Sequence, residues 1–248
     1  MIHMQLRIWL TGLLVIPGSV MFGLQALAQP NDPAAGLELN PAPYHAVIGN
    51  PPAPASRQDL DDLAILRWNQ RTRTPEGVLH SWRFLNRNLS VFDAAIGTDL
   101  AKTAPTLYEG LPAFLVRVDA LKDQLKNAVA RPRPFVSHQD LQPCLPLETT
   151  WSYPSGHATW FAAAALLLAD LVPERRDRLM PVGLQGGYVR AYCGAHYPSD
   201  VEASQRLAQA ISKELIASPQ WRTFKQQLAG ERSKLVVPPP AGIPLLTD

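Results

Sequence analysis

The chain has 248 residues, of which 46% are hydrophobic and 18% are charged, and its formal net charge at pH 7 is +2. This composition is typical of a folded protein with a sizeable core and excludes a wholly disordered chain. So small a net charge gives no support for binding to nucleic acid or to an anionic membrane surface, and neither partner is predicted.

Residues 1–28 have the pattern of a secretory signal peptide. Arg7 supplies a positive charge, the stretch from Ile8 to Leu24 is mostly apolar, and Ala26-Leu27-Ala28 provides a cleavage site of small residues. An uncleaved membrane anchor is the alternative, but proline and glycine interrupt the apolar stretch and the cleavage site favours removal. We therefore predict export to the periplasm.

The segment that follows, residues 29–58, is rich in proline, alanine and asparagine, which predicts an extended arm without a core of its own. After this arm, apolar residues recur at spacings of three and four, which indicates amphipathic helices. The predicted helices are, in chain order, one from Asp59 through Trp68, one from Pro75 to Ile96, one from Pro105 to Ala130, one from Gly156 to Leu171, one from Arg176 to Ala191, and one from Ser199 through Leu215 with a further piece from Trp221 to Leu228.

No stretch alternates polar and apolar residues for long enough to form a sheet, so residues 59–230 are predicted to be a single all-α domain, a compact helical bundle. Residues 231–248 are predicted to be an extended tail. The helix Gly156–Leu171 is strongly apolar, but its unbroken run is much shorter than the roughly 20 residues that span a bilayer. It is therefore predicted to be a buried core helix, and no stable membrane insertion is expected.

Cys144 and Cys193 are the only cysteines. In an exported protein two cysteines favour one disulfide, because the compartment is oxidising. Closing a loop of about 50 residues would stabilise the fold by roughly 4 kcal/mol on the chain-entropy model. The alternative is a pair of buried free thiols.

Pro154-Ser155-Gly156-His157 stands where a loop turns into the apolar helix. The first turn of a helix has N–H groups without intrahelical partners, and the helix dipole adds partial positive charge there. Ser155 and Gly156 carry little bulk, so an anion such as phosphate could approach these groups closely. The alternative for this stretch alone is an ordinary turn and N-cap.

Two further groups of residues have the chemistry of phosphate binding. Lys126 is separated by six residues from Arg133-Pro134, and Arg190 is separated by five residues from His196, which lies four residues before Asp200. Three cations suit a phosphate dianion, and the planar guanidinium can contact it through two N–H groups. A carboxylate at Asp200 can fix the tautomer of His196, which leaves the other imidazole nitrogen free as a nucleophile.

Each of these groups alone would more often be a solvated residue, a surface pair or a helix cap. The three together, in this order, resemble the signature of the type-2 phosphatidic acid phosphatase superfamily, and the signal peptide and length resemble its class A bacterial acid phosphatases. The resemblance implies a compact helical bundle of the type-2 phosphatidic acid phosphatase and vanadium chloroperoxidase kind. It also implies hydrolysis of phosphomonoesters without metal or other cofactor, through a phosphohistidine intermediate.

By this resemblance His196 is the nucleophile, Asp200 orients it, and His157 protonates the leaving group as general acid. The phosphoryl oxygens would be held by Lys126, Arg133, Ser155, Gly156 and Arg190. A disulfide between Cys144 and Cys193 would tie the loop after Arg133 to the segment that carries His196. The resemblance further suggests phosphomonoester substrates, inorganic phosphate as product, vanadate as its mimic, and a homodimer.

Two positions leave questions open. The serine that precedes the third-motif arginine in the family is Val189 here, which puts in doubt a hydrogen bond that would position Arg190. Arg131 lies two residues before Arg133 without the family spacing from Lys126, and we interpret it as a rim or salt-bridge residue. The alternative functions are a lipid phosphate phosphatase, a vanadate-dependent haloperoxidase and a catalytically silent phosphate-binding protein.

Overall fold

The computed structural model describes residues 32–237; the predicted signal peptide and the last part of the predicted tail lie outside the described residues. Within this span the chain is all-α and has no strand, which confirms the predicted fold class. Two 3-10 helices, Leu89–Phe92 and Pro173–Arg175, accompany twelve α-helices among the described residues. These are α1 (Tyr44–Ile48), α2 (Arg57–Thr72), α3 (Pro75–Trp82), α4 (Asp93–Ile96), α5 (Leu100–Thr103), α6 (Pro105–Val129), α7 (Pro134–Ser137), α8 (Gly156–Leu171), α9 (Arg176–Tyr192), α10 (Pro198–Ala217), α11 (Pro219–Gln227) and α12 (Ala229–Leu235).

Helix α8 is the centre of the bundle, and α6, α9 and α10 pack around it. Its sequence is apolar on every side because nearly all of its residues are buried, including the run of four alanines that begins at Ala162. A helix whose faces are all covered has a fixed position. The first turn of α8, which carries His157, is therefore held firmly by the packing of the remaining turns.

Helices α8 and α9 approach each other closely because α9 carries glycines on the facing side. A Cβ at Gly183 would lie 2.4 Å from the Cβ of Ala165, and one at Gly186 would lie 2.3 Å from the ring of Phe161. Side chains at these positions would push the two helices apart. The glycines thus fix the distance between His157, at the start of α8, and Arg190, near the end of α9.

The predicted arm, residues 29–58, differs from the expectation where the structure describes it. It contains the short helix α1, whose Tyr44 and Ile48 are buried against α10. The Tyr153 hydroxyl donates to the carbonyl of Ile48 and so connects the arm to the residues just before α8. The proline-rich composition obscured this helix because it is only five residues long.

The single helix predicted from Pro75 to Ile96 is interrupted. Helix α3 ends at Trp82, and the chain becomes helical again only at the 3-10 helix Leu89–Phe92, where the Asn88 side chain accepts a hydrogen bond from Ser90 N. In a continuous helix the carbonyl of Leu85 would accept from the amide four residues later. Here it accepts a hydrogen bond from His157 instead. The apolar spacing continues across the break, which explains the incorrect prediction.

The chain after α11 also departs from the prediction, because α12 continues to Leu235 inside the segment expected to be an extended tail. Leu235 is buried against the core, so this helix belongs to the domain. Among residues 32–237, none of the helices combines the length and the apolar character that a membrane crossing requires.

Candidate active site

The end of helix α6 and the extended segment after it position three of the site's cations. Lys126 lies in the last turn of α6, and the helix stops at Ala130, whose φ of 52° is left-handed. A residue that precedes proline is disfavoured in the helical region, so Arg131 and Arg133 continue as extended chain. Residues two apart in an extended segment face the same side. Both arginines consequently face the His196–Asp200 pair.

His196 is fully buried and each ring nitrogen has a defined partner. Arg133 Nη1 donates to His196 Nε2 at 2.9 Å, and His196 Nδ1 lies 3.3 Å from Asp200 Oδ2. An arginine can only donate, so Nε2 is an acceptor and the proton resides on Nδ1. This tautomer places the lone pair of Nε2 beside Arg133, on the side of the three cations.

Burial lowers the pKa of His196 well below its ordinary value, and the neighbouring Arg133 and Lys126 lower it further. The imidazole is therefore neutral, as a nucleophile must be. Burial raises the pKa of Asp200, whereas Arg131 and the hydrogen bond from Ser152 oppose that rise. The cation of Arg131 consequently favours the ionised carboxylate that orients His196.

Arg131 is buried, so of the two predicted roles, rim residue and salt-bridge residue, it has the second. Its Nη1 donates to Asp200 Oδ1 at 2.7 Å, and its guanidinium carbon lies 3.7 Å from the centre of the Tyr197 ring. Ser152 also donates to Asp200, at 2.5 Å, and had no signal in the sequence. We call this buried set, which comprises Arg131, Ser152, His196 and Asp200, the rear network.

Helix α10 begins one residue earlier than predicted, at Pro198, with Tyr197 as its N-cap residue. The carboxylate of Asp200 accepts from the backbone N–H of Tyr197, the N-cap residue, at 2.9 Å. Ser199 donates through its backbone N–H to Asp62 at 3.1 Å. Asp200 thus caps the helix and orients His196 with the same carboxylate.

The residues of the Pro154-Ser155-Gly156-His157 motif, at the start of α8, make different contacts. Ser155 is the N-cap, and its backbone N–H donates to Ser204 Oγ at 2.6 Å. Ser155 therefore supports the helix start and is fully buried, and its contact with phosphate stays a prediction. Gly156 lines the cleft, where an added Cβ would lie 3.4 Å from Lys122 Nζ.

His157 faces the same cleft and is oriented by the interruption after α3. Its Nε2 donates to the carbonyl of Leu85 at 2.9 Å, which leaves Nδ1 directed at the site, 3.7 Å from Glu148 Oε1. Burial lowers the pKa of His157 to about 4, and the charge of Arg190 lowers it as well, whereas Glu148 opposes the change. A second proton on this ring would be carried by Nδ1.

Arg190 has no exposed surface, and Glu148 holds it through one N–H at 2.5 Å. Its Nε and Nη1 are buried and have no hydrogen-bond partner among residues 32–237. Val189, which replaces the serine of the family, is packed in the core and lines a separate groove beside α3. The arginine of this chain therefore keeps its place without a hydrogen bond from the preceding side chain.

Glu148 was missed by the sequence reasoning, yet it contacts both arginines of the motifs. Its Oε2 accepts from Arg133 Nη2 and its Oε1 accepts from Arg190 Nη2, each at 2.5 Å. Burial alone would raise the pKa of Glu148, but the charges of Arg190, Arg133 and His157 lower it to about 2. The residue is ionised over the whole range in which the protein would act.

Further donors of Arg133 and Lys126 contact the residues that follow Glu148, and Arg133 Nη1 also donates to the carbonyl of Ala195 at 3.0 Å. Arg133 donates to Thr150 O at 2.8 Å and to Thr150 Oγ1 at 2.9 Å, and Lys126 donates to Trp151 O at 2.6 Å. Burial lowers the pKa of Lys126 to about 7, and Arg133 contributes to this change. We call residues 147–151 the front loop.

Cys144 and Cys193 form the predicted disulfide, with their Cα atoms 4.8 Å apart. The N–H of Cys144 also donates to the carbonyl of Cys193 at 3.0 Å. The bond joins the beginning of the loop that carries Glu148 to the end of α9. It thereby holds the front loop near Arg190 and His196.

A cleft of about 410 Å³ leads from the surface to these residues. Its lining combines basic residues, the front loop and the start of α8, and includes Arg87, Lys122, Lys126, Glu148, Gly156 and His157. Arg133, Arg190 and His196 do not line it, because Glu148 stands between them and the cleft. The site thus combines a neutral histidine, several buried cations and an entrance for a small anion.

The geometry agrees with what comparison with known proteins shows. The family model of the PAP2 superfamily matches residues 110–224, and a lipid A 1-phosphatase of Rhizobium johnstonii is 32% identical over 64% of this chain and 67% of its own. The chain belongs to the PAP2 superfamily. The match includes all three motifs, from Lys126 to Asp200.

Two further proteins resemble this PAP2 chain. A non-specific acid phosphatase of Providencia stuartii is 30% identical over 59% of the chain, and the alignment covers 61% of that enzyme, which is less than two thirds of its length. The crystal structure of a transmembrane PAP2-type phosphatidylglycerolphosphate phosphatase from Bacillus subtilis matches 75% of this chain and 94% of its own, with a TM-score of 0.51 and 20% identity. At that identity the likeness concerns the fold alone.

Proposed function

We propose that the chain is an acid phosphatase that hydrolyses phosphomonoesters through a phosphohistidine intermediate without a metal ion. The observation that supports this most strongly is the tautomer of His196. Its Nδ1–H is directed at Asp200, and its Nε2 lone pair lies 2.9 Å from Arg133. A neutral, oriented imidazole beside buried cations is suited to attack on phosphorus.

In the proposed first step, His196 Nε2 attacks the phosphorus atom and the bond to the leaving oxygen breaks. His157 donates the proton on Nδ1 to that oxygen, and the alcohol leaves. In the second step, water attacks the phosphohistidine and gives a proton to His157, which releases inorganic phosphate and restores His196. Lys126, Arg133 and Arg190 balance the charge of the phosphoryl oxygens, which is greatest in the transition state.

The low pKa of His157, about 4, requires that the substrate help to protonate this residue. A phosphoryl dianion near Nδ1 brings one more negative charge than the Glu148 carboxylate does. A nearby negative charge favours the imidazolium, so the pKa of His157 rises when the substrate binds. We therefore expect an optimum at acidic to neutral pH, where His196 is neutral and His157 can be charged.

The first test is hydrolysis of p-nitrophenyl phosphate by the purified mature chain, with and without a chelator. We expect turnover that resists the chelator and is abolished in His196→Ala. His45→Ala, which removes an exposed histidine of α1, is the matched control and should keep wild-type activity. After an alkaline denaturing quench, which preserves the acid-labile P–N bond, mass spectrometry should detect a phosphate adduct on the peptide that contains His196. Activity of His196→Ala equal to that of the wild type would refute the mechanism.

A lipid phosphate is a second candidate substrate. Leu147 and Trp151 of the front loop are 66% and 44% exposed beside the cleft, and such residues suit the apolar part of a lipid. The relative from Rhizobium johnstonii is named as a lipid A 1-phosphatase. Phosphate release from a phosphorylated lipid in mixed micelles, compared with release from glycerol phosphate, distinguishes the two candidates.

Export to the periplasm remains part of the proposal, because the signal-peptide pattern of residues 1–28 is its only support. Expression of the full chain in a Gram-negative host should yield a periplasmic protein that begins at Gln29. The proposed homodimer can be tested on the same material by light scattering. A protein retained in the cytoplasm with its N-terminus intact would contradict export.

A further inference from the structure

Glu148 belongs to none of the three motifs, yet its carboxylate bridges the two motif arginines. One oxygen accepts from Arg133 and the other from Arg190, each at 2.5 Å. A phosphoryl group would engage the same two guanidinium groups in the same way, through separate oxygens. The carboxylate and the substrate therefore require the same donors.

Two further residues of the front loop, besides Glu148, are bound to the cations of the site. Thr150 accepts two hydrogen bonds from Arg133, and the carbonyl of Trp151 accepts one from Lys126. The three phosphate-binding cations thus all donate to residues of this one loop. Burying such cations unpaired would be costly, so an internal anion stabilises the site before the substrate arrives.

The front loop is anchored at both ends and exposed between them. Cys144 is held by the disulfide, and the N–H of Ser152 donates to the carbonyl of Arg131 at 2.8 Å. Leu147, Thr149 and Thr150 are exposed and add nothing to the core. Segments with few buried contacts open at a low cost in free energy. The loop can therefore release the arginines while the rear network stays intact.

We propose that Glu148 is an internal competitor of the phosphoryl group. Its carboxylate holds Arg133 and Arg190 in the free protein and leaves them when substrate binds. The proposal rests on the proposed function, because it assumes that these arginines bind phosphate. A phosphoryl dianion has more oxygens and one more charge than the carboxylate. It can also reach the buried Nε and Nη1 of Arg190, which lack partners among the described residues. The exchange therefore favours the substrate.

Competition of this kind lowers the apparent affinity by the fraction of protein in which the arginines are free. If the carboxylate occupies them for about nine-tenths of the time, the apparent affinity is about tenfold below the intrinsic value. Glu148 thus sets the Kd for phosphate and the KM for substrate. It leaves the rate of the chemical steps unchanged, because it is absent from the site when they occur.

The test is calorimetric titration of the mature chain with inorganic phosphate and with orthovanadate. Glu148→Gln keeps the size of the side chain and removes its charge, and we expect about tenfold tighter binding of both anions. The KM for p-nitrophenyl phosphate should fall in parallel, with kcat within about twofold of the wild type. Asp123→Asn is the matched control, because Asp123 lines the same cleft but contacts Lys122 and not the arginines. It should change the affinity less than about twofold.

Equal effects of Glu148→Gln and Asp123→Asn would overturn the proposal, because the gain would then come from net charge alone. Weaker binding by Glu148→Gln would also overturn it, since Glu148 would then support the arginines. Glu148→Asp provides a second variant that retains the charge but is too short to bridge both arginines, and it should bind phosphate tighter than the wild type. If neither the wild type nor the variants bind phosphate or hydrolyse the ester, the proposed function itself fails. If the wild type hydrolyses the ester but both Glu148 variants have unchanged affinity for phosphate, only the proposal that Glu148 competes with phosphate is refuted.

Discussion

The polar groups behind His196 and those in front of it are paired in different ways. In the rear network, Arg131 and Asp200 are 8% and 0% exposed and are bonded to other buried residues. In the front loop, the half-buried Glu148 supplies the carboxylate, and the exposed Thr150 and Trp151 supply the carbonyl oxygens that the cations contact. Arg133 belongs to neither set but contacts both, because its Nη1 donates to His196 and its Nη2 donates to Glu148.

This difference indicates that the rear network is a permanent framework, whereas the front loop is a ligand of the cations that another anion can replace. Buried charge pairs are costly to break, because each partner is left without solvent. Pairs with an exposed loop lose little when another anion takes the place of the loop. The rear network should therefore control the chemistry and the stability, whereas the front loop should control affinity. The predictions below test this division, from the largest expected effect to the smallest.

Asp200→Asn should lower kcat for p-nitrophenyl phosphate by about a thousandfold or more. Arg131 can only donate, so the asparagine oxygen must take the position of Oδ1, which directs its NH₂ group at His196 Nδ1 in place of Oδ2. The ring must then protonate Nε2, and the nucleophilic lone pair is lost. Asp140→Asn, at an exposed carboxylate, is the control and should keep wild-type kcat. A loss below about tenfold in Asp200→Asn would show that the tautomer is not set by Asp200.

Arg131→Met should lower the free energy of unfolding by about 3–5 kcal/mol, because Asp200 would be left buried and unpaired. The matched control is Arg67→Met, since Arg67 pairs with Asp140 at 2.8 Å but these side chains are 44% and 55% exposed. That variant should lose at most about 1 kcal/mol. Urea denaturation of both variants measures the contrast. If both variants lost a similar free energy of unfolding, the buried pair of the rear network would stabilise the fold no more than an exposed pair.

The positions that carry the site could largely be predicted from the sequence, because the motif spacings reflect local geometry. Six residues separate Lys126, in the last turn of α6, from Arg133, and three separate His196 from Asp200 across a helix start. Arg131 also had a signal: in an extended Arg-Pro-Arg-Pro segment both arginines face the same side. A salt bridge was one of its two predicted roles, but its partner, Asp200, was not predicted because it is distant in sequence.

Other features depend on tertiary contacts that leave no local pattern. Glu148 is one carboxylate in an exposed loop, and only the folded chain brings it to Arg133 and Arg190. The helix predicted through Leu85 failed for the same reason, because the contact of its carbonyl with His157 spans 72 residues. Periodicity indicates which residues are buried. It does not indicate where a helix ends because a backbone carbonyl accepts a hydrogen bond from a residue of the site.

His157→Asn should reduce kcat for an alkyl phosphate by about 10²–10⁴-fold and kcat for p-nitrophenyl phosphate by much less. An alkoxide is a poor leaving group and needs the proton from Nδ1, whereas p-nitrophenolate leaves readily without one. The asparagine amide takes the position of Nδ1 and is too short to replace the Nε2–H that donates to Leu85, so circular dichroism must accompany the kinetics to check the fold. The measurement is the ratio of kcat values for glycerol phosphate and p-nitrophenyl phosphate. An unchanged ratio would exclude His157 as the general acid.

Lys126→Arg should remove a pH dependence of anion binding. Burial, with Arg133 and Lys122, lowers the pKa of Lys126 to about 7, so the free protein loses this charge as the pH rises above that value. A bound anion raises the pKa again, and binding above pH 7 must therefore take up a proton. The affinity should fall by up to about tenfold for each pH unit above 7.

Arginine remains charged throughout this range, so the affinity of Lys126→Arg should be flat between pH 7 and 9, above the range in which His157 takes up a proton. Competitive inhibition by sulfate measures this, because the charge of sulfate is constant over the range. Lys122→Arg is the matched control, since Lys122 lines the same cleft but contacts Asp119 and Asp123. It should keep the wild-type dependence. If the affinity of Lys126→Arg for sulfate still falls as the pH rises, the pH dependence belongs to another titrating group. Lys126 would then contact the front loop without changing its charge.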